Sequence, residues 1–325
     1  LNLMDGNVFL VIEKVITLFI ILFVGIIARK LNIIDLAATK KLSGFLLNVT
    51  QPLMIITSFQ MVFDSDKLKN GLMILALSAV IHISVAALSF LIYKPLKNSG
   101  HRKVFEMATI FSNCAFLGYP VLKVIFGDDL GIFYGAFYTM FFNIFIWTYG
   151  VYRITRKDKS ENNYDGKKVK FPLRKIFLNS GMIASVIGII IFMFSIKLPG
   201  VLYDSSKLVG DMTFPLSMII IGSLVSDIKL KDMFLSLKNY YYIFIKLIFF
   251  PLFTAFICYI LKLPPLLIYM GTVMTAMPSA ANVAIFAETY GADSKTAAIS
   301  VGLSTLISIG TIPAAMYFVV NILKI

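Results

Sequence analysis

Ten apolar stretches follow one another along this chain, at approximately 8–28, 39–61, 71–93, 104–126, 131–152, 173–196, 206–226, 239–261, 264–288 and 295–322. Each is near the roughly 20 residues a helix needs to cross a bilayer. Hydrocarbon cannot satisfy a bare backbone, so stretches of this kind span only as helices. The expected class is therefore an all-α integral membrane protein with ten transmembrane helices. Composition agrees, since 58% of the 325 residues are hydrophobic and 14% are charged, far from the balance of a soluble domain.

The net charge of +13 does not point to nucleic acid, because the basic residues fall in connections and form no stripe interleaved with aromatics. They set topology instead. The connections after spans 1, 3, 5, 7 and 9 carry 21 Lys or Arg, against 6 in the other connections and the termini. The excess marks the cytoplasmic side. This places both termini outside and makes the protein multi-pass in the plasma membrane. The first span is too long for a secretory leader and has no small-residue cleavage site. Cys114 and Cys258 both lie within spans, so neither a disulfide nor a zinc site is expected. No cofactor is expected, and coupling to protons or sodium stays open.

Two spans are interrupted. Ser112-Asn113-Cys114-Ala115-Phe116-Leu117-Gly118-Tyr119-Pro120 places an amide, a glycine and a proline inside the fourth, and Met277-Pro278-Ser279-Ala280-Ala281-Asn282 breaks the ninth. Proline leaves a carbonyl unpaired, which lipid tolerates only where protein or a water-filled cavity answers it. A kinked helix would explain either break alone. The pair carries more weight because the two halves repeat. Asn48-Val49-Thr50-Gln51-Pro52-Leu53 matches Asp211-Met212-Thr213-Phe214-Pro215-Leu216 at a separation of 163, and Gly25 matches Gly188 at the same separation. Gly127 and Gly291, after the two breaks, are 164 apart. Five spans per half is an odd number, so the second half is expected to be inverted. The chain then divides into a first five-helix repeat at 1–152, a short cytoplasmic linker at 153–172 and a second, inverted repeat at 173–325. Inverted repeats with paired broken helices build many secondary transporters.

These residues resemble the auxin efflux carrier family, which includes plant auxin exporters and bacterial malate or malonate permease-like proteins. The resemblance covers nearly the whole chain. Asn113, Gly118 and Pro120 match the Asn-x-x-x-x-Gly-x-Pro pattern of the fourth span. Pro278, with Phe286-Ala287 and Tyr290, is similar to the ninth-span motif, and Gly302 and Pro313 fit the last span. Plant members place a proline directly before the fourth-span Asn, where this chain has Ser112. That departure and the short linker favour a bacterial-type carrier. The resemblance implies that the broken helices 4 and 9 cross near the midplane and form the substrate site. It also implies that spans 3–5 and 8–10 move against a scaffold of spans 1, 2, 6 and 7.

The second half of a broken helix begins with unpaired N–H groups carrying roughly half a positive charge, which favours a carboxylate. Asn113 and Asn282 supply amide donors there, or else simply cap their breaks. The expected substrate-binding set is Asn113, Cys114, Gly118, Pro120, Pro278, Ser279 and Asn282, with Asn48 and Gln51 near the track. His82 and Lys246, 164 apart within spans 3 and 8, are the candidate coupling residues. A charge at that depth costs about 2.5–3.5 kcal/mol and normally faces a cavity or a partner. The plainer alternatives are a snorkelling lysine and a hydrogen-bonded core histidine. Glu106 and Glu288, near span ends, are expected on solvated faces.

A primary pump is disfavoured because no Gly-x-x-x-x-Gly-Lys-Ser/Thr loop is present. An intramembrane enzyme would need paired acids, a zinc-binding helix or a Gly-x-Ser-x-Gly elbow, and none is seen. The expected function is secondary transport of a small organic anion, such as malate, malonate or an auxin-like acid, by alternating access of the elevator type. The expected partners are that anion and the lipid bilayer, and the scaffold spans have apolar area enough for a homodimer. The alternative is a lipid- or sterol-binding sensor, or a channel-like protein.

Overall fold

The computed structural model describes residues 8–96, 100–156, 178–226 and 236–323. Most of the expected linker, and the first residues of the sixth apolar stretch, lie outside the described residues. Each of the ten stretches holds helix. The elements are α1 (Val8–Lys30), α2 (Leu36–Phe45), α3 (Gln51–Ser58), α4 (Ser65–Ile92), α5 (Gly100–Ile110), α6 (Tyr119–Phe126), α7 (Asp128–Phe145) and α8 (Val151–Thr155). After the linker come α9 (Ser180–Met193), α10 (Gly200–Asp211), α11 (Thr213–Ser226), α12 (Leu237–Phe244), α13 (Phe250–Ile260), α14 (Pro265–Ala276), α15 (Asn282–Thr289) and α16 (Ser294–Tyr317). Among the described residues, five continuous helical runs, at Ser65–Ile92, Asp129–Thr155, Gly200–Ser226, Leu237–Ile260 and Ser294–Asn321, are long and apolar enough to cross a membrane.

Several joints are wide turns rather than breaks. A π-helical turn at Leu46–Thr50 joins α2 to α3, and others at Cys114–Gly118 and Ile245–Phe249 lead into α6 and α13. Each of these three comes just before a proline: Pro52, Pro120 and Pro251. A proline cannot donate to the carbonyl four residues back and collides with it. The wide turn lets the preceding N–H reach five residues back instead, from Gln51 to Leu46 O, Tyr119 to Cys114 O and Phe250 to Ile245 O. Helix therefore continues past the proline.

The helices pack in two sets that also touch each other, α7 lying on α3 and α9, and α1 on α6 and α16. In the first, α1 lies against α11, while α9 and α10 lie against α3. In the second, α4 packs on α7, α13 on α14, and α15 on α16. Large apolar side chains such as Ile20, Val80, Ile190, Leu202 and Phe256 are exposed on the outer helices, as expected of faces turned to lipid.

Glu106 departs from the sequence expectation. It is 0% exposed, accepting from Arg102 Nε at 2.8 Å and from Arg153 Nε at 2.5 Å. Position near a span end suggested a solvated carboxylate. In the fold that end is covered by α8, and burial is compensated by two guanidinium groups.

The start of α16 carries a smaller polar joint. Asp293 caps it, accepting from Thr296 N at 2.9 Å and from Thr296 Oγ1 at 2.7 Å, while His101 Nδ1 lies 3.0 Å from its carboxylate. Partial burial opposes ionisation of Asp293, but the Thr296 hydrogen bonds and nearby His101 outweigh it and hold the carboxyl below its ordinary value. A depressed carboxylate adds stability above its unfolded pKa and loses it as pH falls through the folded value. Native protein is therefore expected to melt above Asp293→Asn at neutral pH, with the gap closing below about pH 4. Melting curves of both proteins across that range test this.

Candidate functional site

The two interrupted segments meet. Asn113 N donates to Pro278 O at 2.6 Å, and Ala280 N donates to Phe111 O at 2.8 Å. This makes an antiparallel bridge between Ser112 and Ser279. Each unwound strand thus supplies the partner that the other needs, which is how irregular backbone survives away from water. Asn113 also caps the turn into α6, its Oδ1 accepting from Phe116 N at 3.1 Å. On the other strand, Ser279 N donates to Ser304 Oγ at 3.0 Å, which ties the bridge to α16.

The α12–α13 run reaches the bridge with two side chains one turn apart. Tyr242 hydrogen-bonds Ser279 Oγ, which itself donates to Ala108 O at 2.5 Å. Lys246 Nζ donates to Thr109 O at 3.1 Å and to Ser112 Oγ at 2.6 Å. Thr109 belongs to the last turn of α5, where carbonyls lack helical partners and the dipole is negative, so an ammonium is well placed there. Lys246 is 1% exposed and does not snorkel.

His82, at the position that the repeat pairs with Lys246, is treated differently. Its Nδ1 lies 2.7 Å from Ser78 O on its own helix. Its ring sits among Phe111, Tyr138, Phe141, Phe142 and Phe145.

Beside the bridge is a cavity of about 270 Å³, close to the lower end of the size of small-molecule sites. Of the residues expected from sequence, Asn113, Cys114, Asn282, Asn48 and Gln51 line it. Gly118, Pro120, Pro278, Ser279, His82 and Lys246 are not part of the lining. Gly118 and Pro120 shape the turn into α6, while Pro278 and Ser279 are engaged in the bridge. The lining adds residues that sequence reasoning missed, among them Ser112, Thr139, Asn143, Trp147 and Asn179. Asn143 was findable as an amide within an apolar span. Asn179, the cap of α9, gave no such signal.

No Asp, Glu, Lys or Arg lines the cavity among the described residues. It extends from the bridge to the start of α9, where Ser180 Oγ donates to Asn48 Oδ1 at 2.6 Å. Elsewhere, two ion pairs join the helix groups: Lys123 to Asp211 at 3.0 Å and Lys207 to Asp129 at 3.1 Å. These link α6 and α7 to α10.

The sequence model of a family described as membrane transport protein matches residues 10–316. No curated protein matches the chain.

Proposed function

The chain belongs to the membrane transport protein family, the auxin efflux carrier family, and from that premise we propose that it is a secondary carrier of a small organic anion. The candidate substrates are carboxylates such as malate, malonate or an auxin-like acid. The observation that carries this reading is the reciprocal backbone pairing of two broken helices beside an amide-lined cavity. The second halves of both broken helices start in the cavity lining, at Cys114 and Asn282. Each start contributes roughly half a positive charge, so the two together match about one carboxylate.

Alternating access of the elevator type is supported by the grouping of helices. The set holding the bridge touches the other set by direct packing of α7 on α3 and α9 and of α1 on α6 and α16, along the cavity, and through the Lys123–Asp211 and Lys207–Asp129 pairs. Such partly exposed pairs are worth about 0–1 kcal/mol each, weak enough to part during a transport cycle. An inverted-repeat architecture is supported by Thr213 Oγ1, which donates to Thr50 Oγ1 at 3.0 Å across a separation of 163 residues. Residues related by a two-fold axis touch each other only on that axis. Gly127 and Gly291 also share a positive φ, 86° and 68°, a backbone state that glycine adopts without strain.

The test is uptake of labelled malate, malonate and indole-acetate into proteoliposomes, first with a pH gradient and then with a membrane potential. One acid is expected to enter saturably and to exchange with unlabelled acid inside, which a channel does not support. Asn113→Ala is expected to reduce uptake tenfold or more, since a lost hydrogen bond to a charged group is worth about 1.5–3 kcal/mol. Absence of uptake of all three by folded protein would reject the anion carrier. It would favour a lipid sensor, for which the apolar groove of about 370 Å³ between α4 and α13 is the natural site.

A further inference from the structure

Lys246 is the buried cation that the anion-carrier reading leaves without a task. It is joined to no carboxylate among the described residues, and its neighbours Thr109 O and Ser112 Oγ are neutral acceptors. An ammonium has three donors and no acceptor, so in this contact the Ser112 oxygen must accept. The Ser112 proton is then left to be given elsewhere. No acceptor for it occurs among the described residues, and Ser112, 4% exposed, lines the cavity. The next residue presents the same situation. Asn113, 3% exposed, spends its Oδ1 on Phe116 N, and its Nδ2 has no partner among the described residues. Two adjacent donors at the bridge thus face a cavity with no side-chain anion in it among the described residues.

Ser279, the other residue of the bridge, is the useful contrast. Its hydroxyl donates to Ala108 O and is hydrogen-bonded with the Tyr242 hydroxyl. It is satisfied within the protein and is absent from the cavity lining. Lysine in place of tyrosine, one turn along the same helix, reverses the sense of the contact. Tyr242 meets a serine that donates inward, whereas Lys246 obliges its serine to donate outward.

We propose that Ser112 donates a hydrogen bond to the carboxylate of the substrate, and that Lys246 is its positioning residue. Lys246 orients the Ser112 hydroxyl and delivers its charge to the cavity through that hydroxyl, without entering the cavity itself. A proline at position 112 could neither accept from the lysine nor donate to an anion, so this arrangement requires a hydroxyl there. The inference rests on the anion-carrier reading.

The test is binding of labelled malate, malonate and indole-acetate to the purified full chain, comparing native protein with Ser112→Ala, Ser112→Thr, Lys246→Met and the Ser112→Ala/Lys246→Met double variant. Ser112→Ala is expected to weaken binding of the acid that native protein takes by about tenfold or more. Ser112→Thr, which keeps the hydroxyl, is expected to stay within about threefold of native, the difference being one methyl beside an unchanged donor. Because Lys246 acts through Ser112, the double variant should bind no more weakly than the worse single one. Native-like affinity in Ser112→Ala, or fully additive losses in the double variant, overturns the proposal while leaving the carrier intact. Failure of native protein to bind any of the three acids overturns the carrier reading and this inference together. If Lys246→Met does not yield folded protein, the Ser112 pair decides alone, and equal affinities in Ser112→Ala and Ser112→Thr reject the proposal.

Discussion

Replacing Glu106 with glutamine is expected to destabilise the protein by about 3–5 kcal/mol, because removing one member of a buried ion network strands the others. Glu106 is fully buried and takes one guanidinium on each carboxylate oxygen, Arg102 on Oε1 and Arg153 on Oε2. Glutamine keeps the shape, but its NH₂ would point a donor at one of two donors. The charge that compensates both arginines is also lost. Arg153, 6% exposed on its side chain, has little access to water, whereas Arg102 is 15% exposed and sits over the Phe90 ring. Arg102→Gln should therefore cost less than Glu106→Gln. Melting curves in detergent measure both. A Glu106→Gln protein that melts with the native one would show that the triad contributes no net stability.

The close approach of α1 and α11 gives the second large effect. A Cβ on Gly222 would lie 2.0 Å from Leu22 O and 2.9 Å from Ile26 N, and one on Gly25 would lie 2.2 Å from Ile219 O. Each obstacle is backbone, so no side chain can swing aside and the helices must move apart. Small residues at such crossings let membrane helices pack through direct van der Waals contact, which matters because apolar burial gives little preference for protein over lipid. Gly222→Ala is expected to cost about 1–3 kcal/mol by overpacking, and Gly222→Val more. Gly44, in α2, is the control, since a Cβ there meets nothing within 4 Å. Gly44→Ala should be neutral or stabilising by about 0.5–1 kcal/mol through helix propensity alone. Equal melting temperatures for Gly222→Ala and Gly44→Ala would remove the close-packing account.

Much of the helical framework was legible because hydrophobicity and proline are properties of a segment. Pro120 and Pro278 mark their interruptions whatever lies opposite. The family could be read from the Asn113–Pro120 and Pro278–Tyr290 stretches for the same reason. The candidate site was legible in part. Asn113 and Asn282 stood out as amides in apolar surroundings, but Ser112 looked like an ordinary small residue. Its weight comes from a lysine 134 positions later.

The sequence by itself determined where helices form, where two of them break, and that the chain belongs in a membrane. The tertiary structure alone decided which of those helices touch and which side chains are satisfied by the contact. The physical reason lies in the solvent. A helix between lipid and an apolar core is hydrophobic on every side, so it carries little of the polar-to-apolar asymmetry that tells a soluble helix which way to face. Glu106 meeting Arg153, Gly222 meeting Leu22, and Lys246 turning toward Ser112 rather than the membrane surface all follow from packing between distant segments, and no local pattern encodes them.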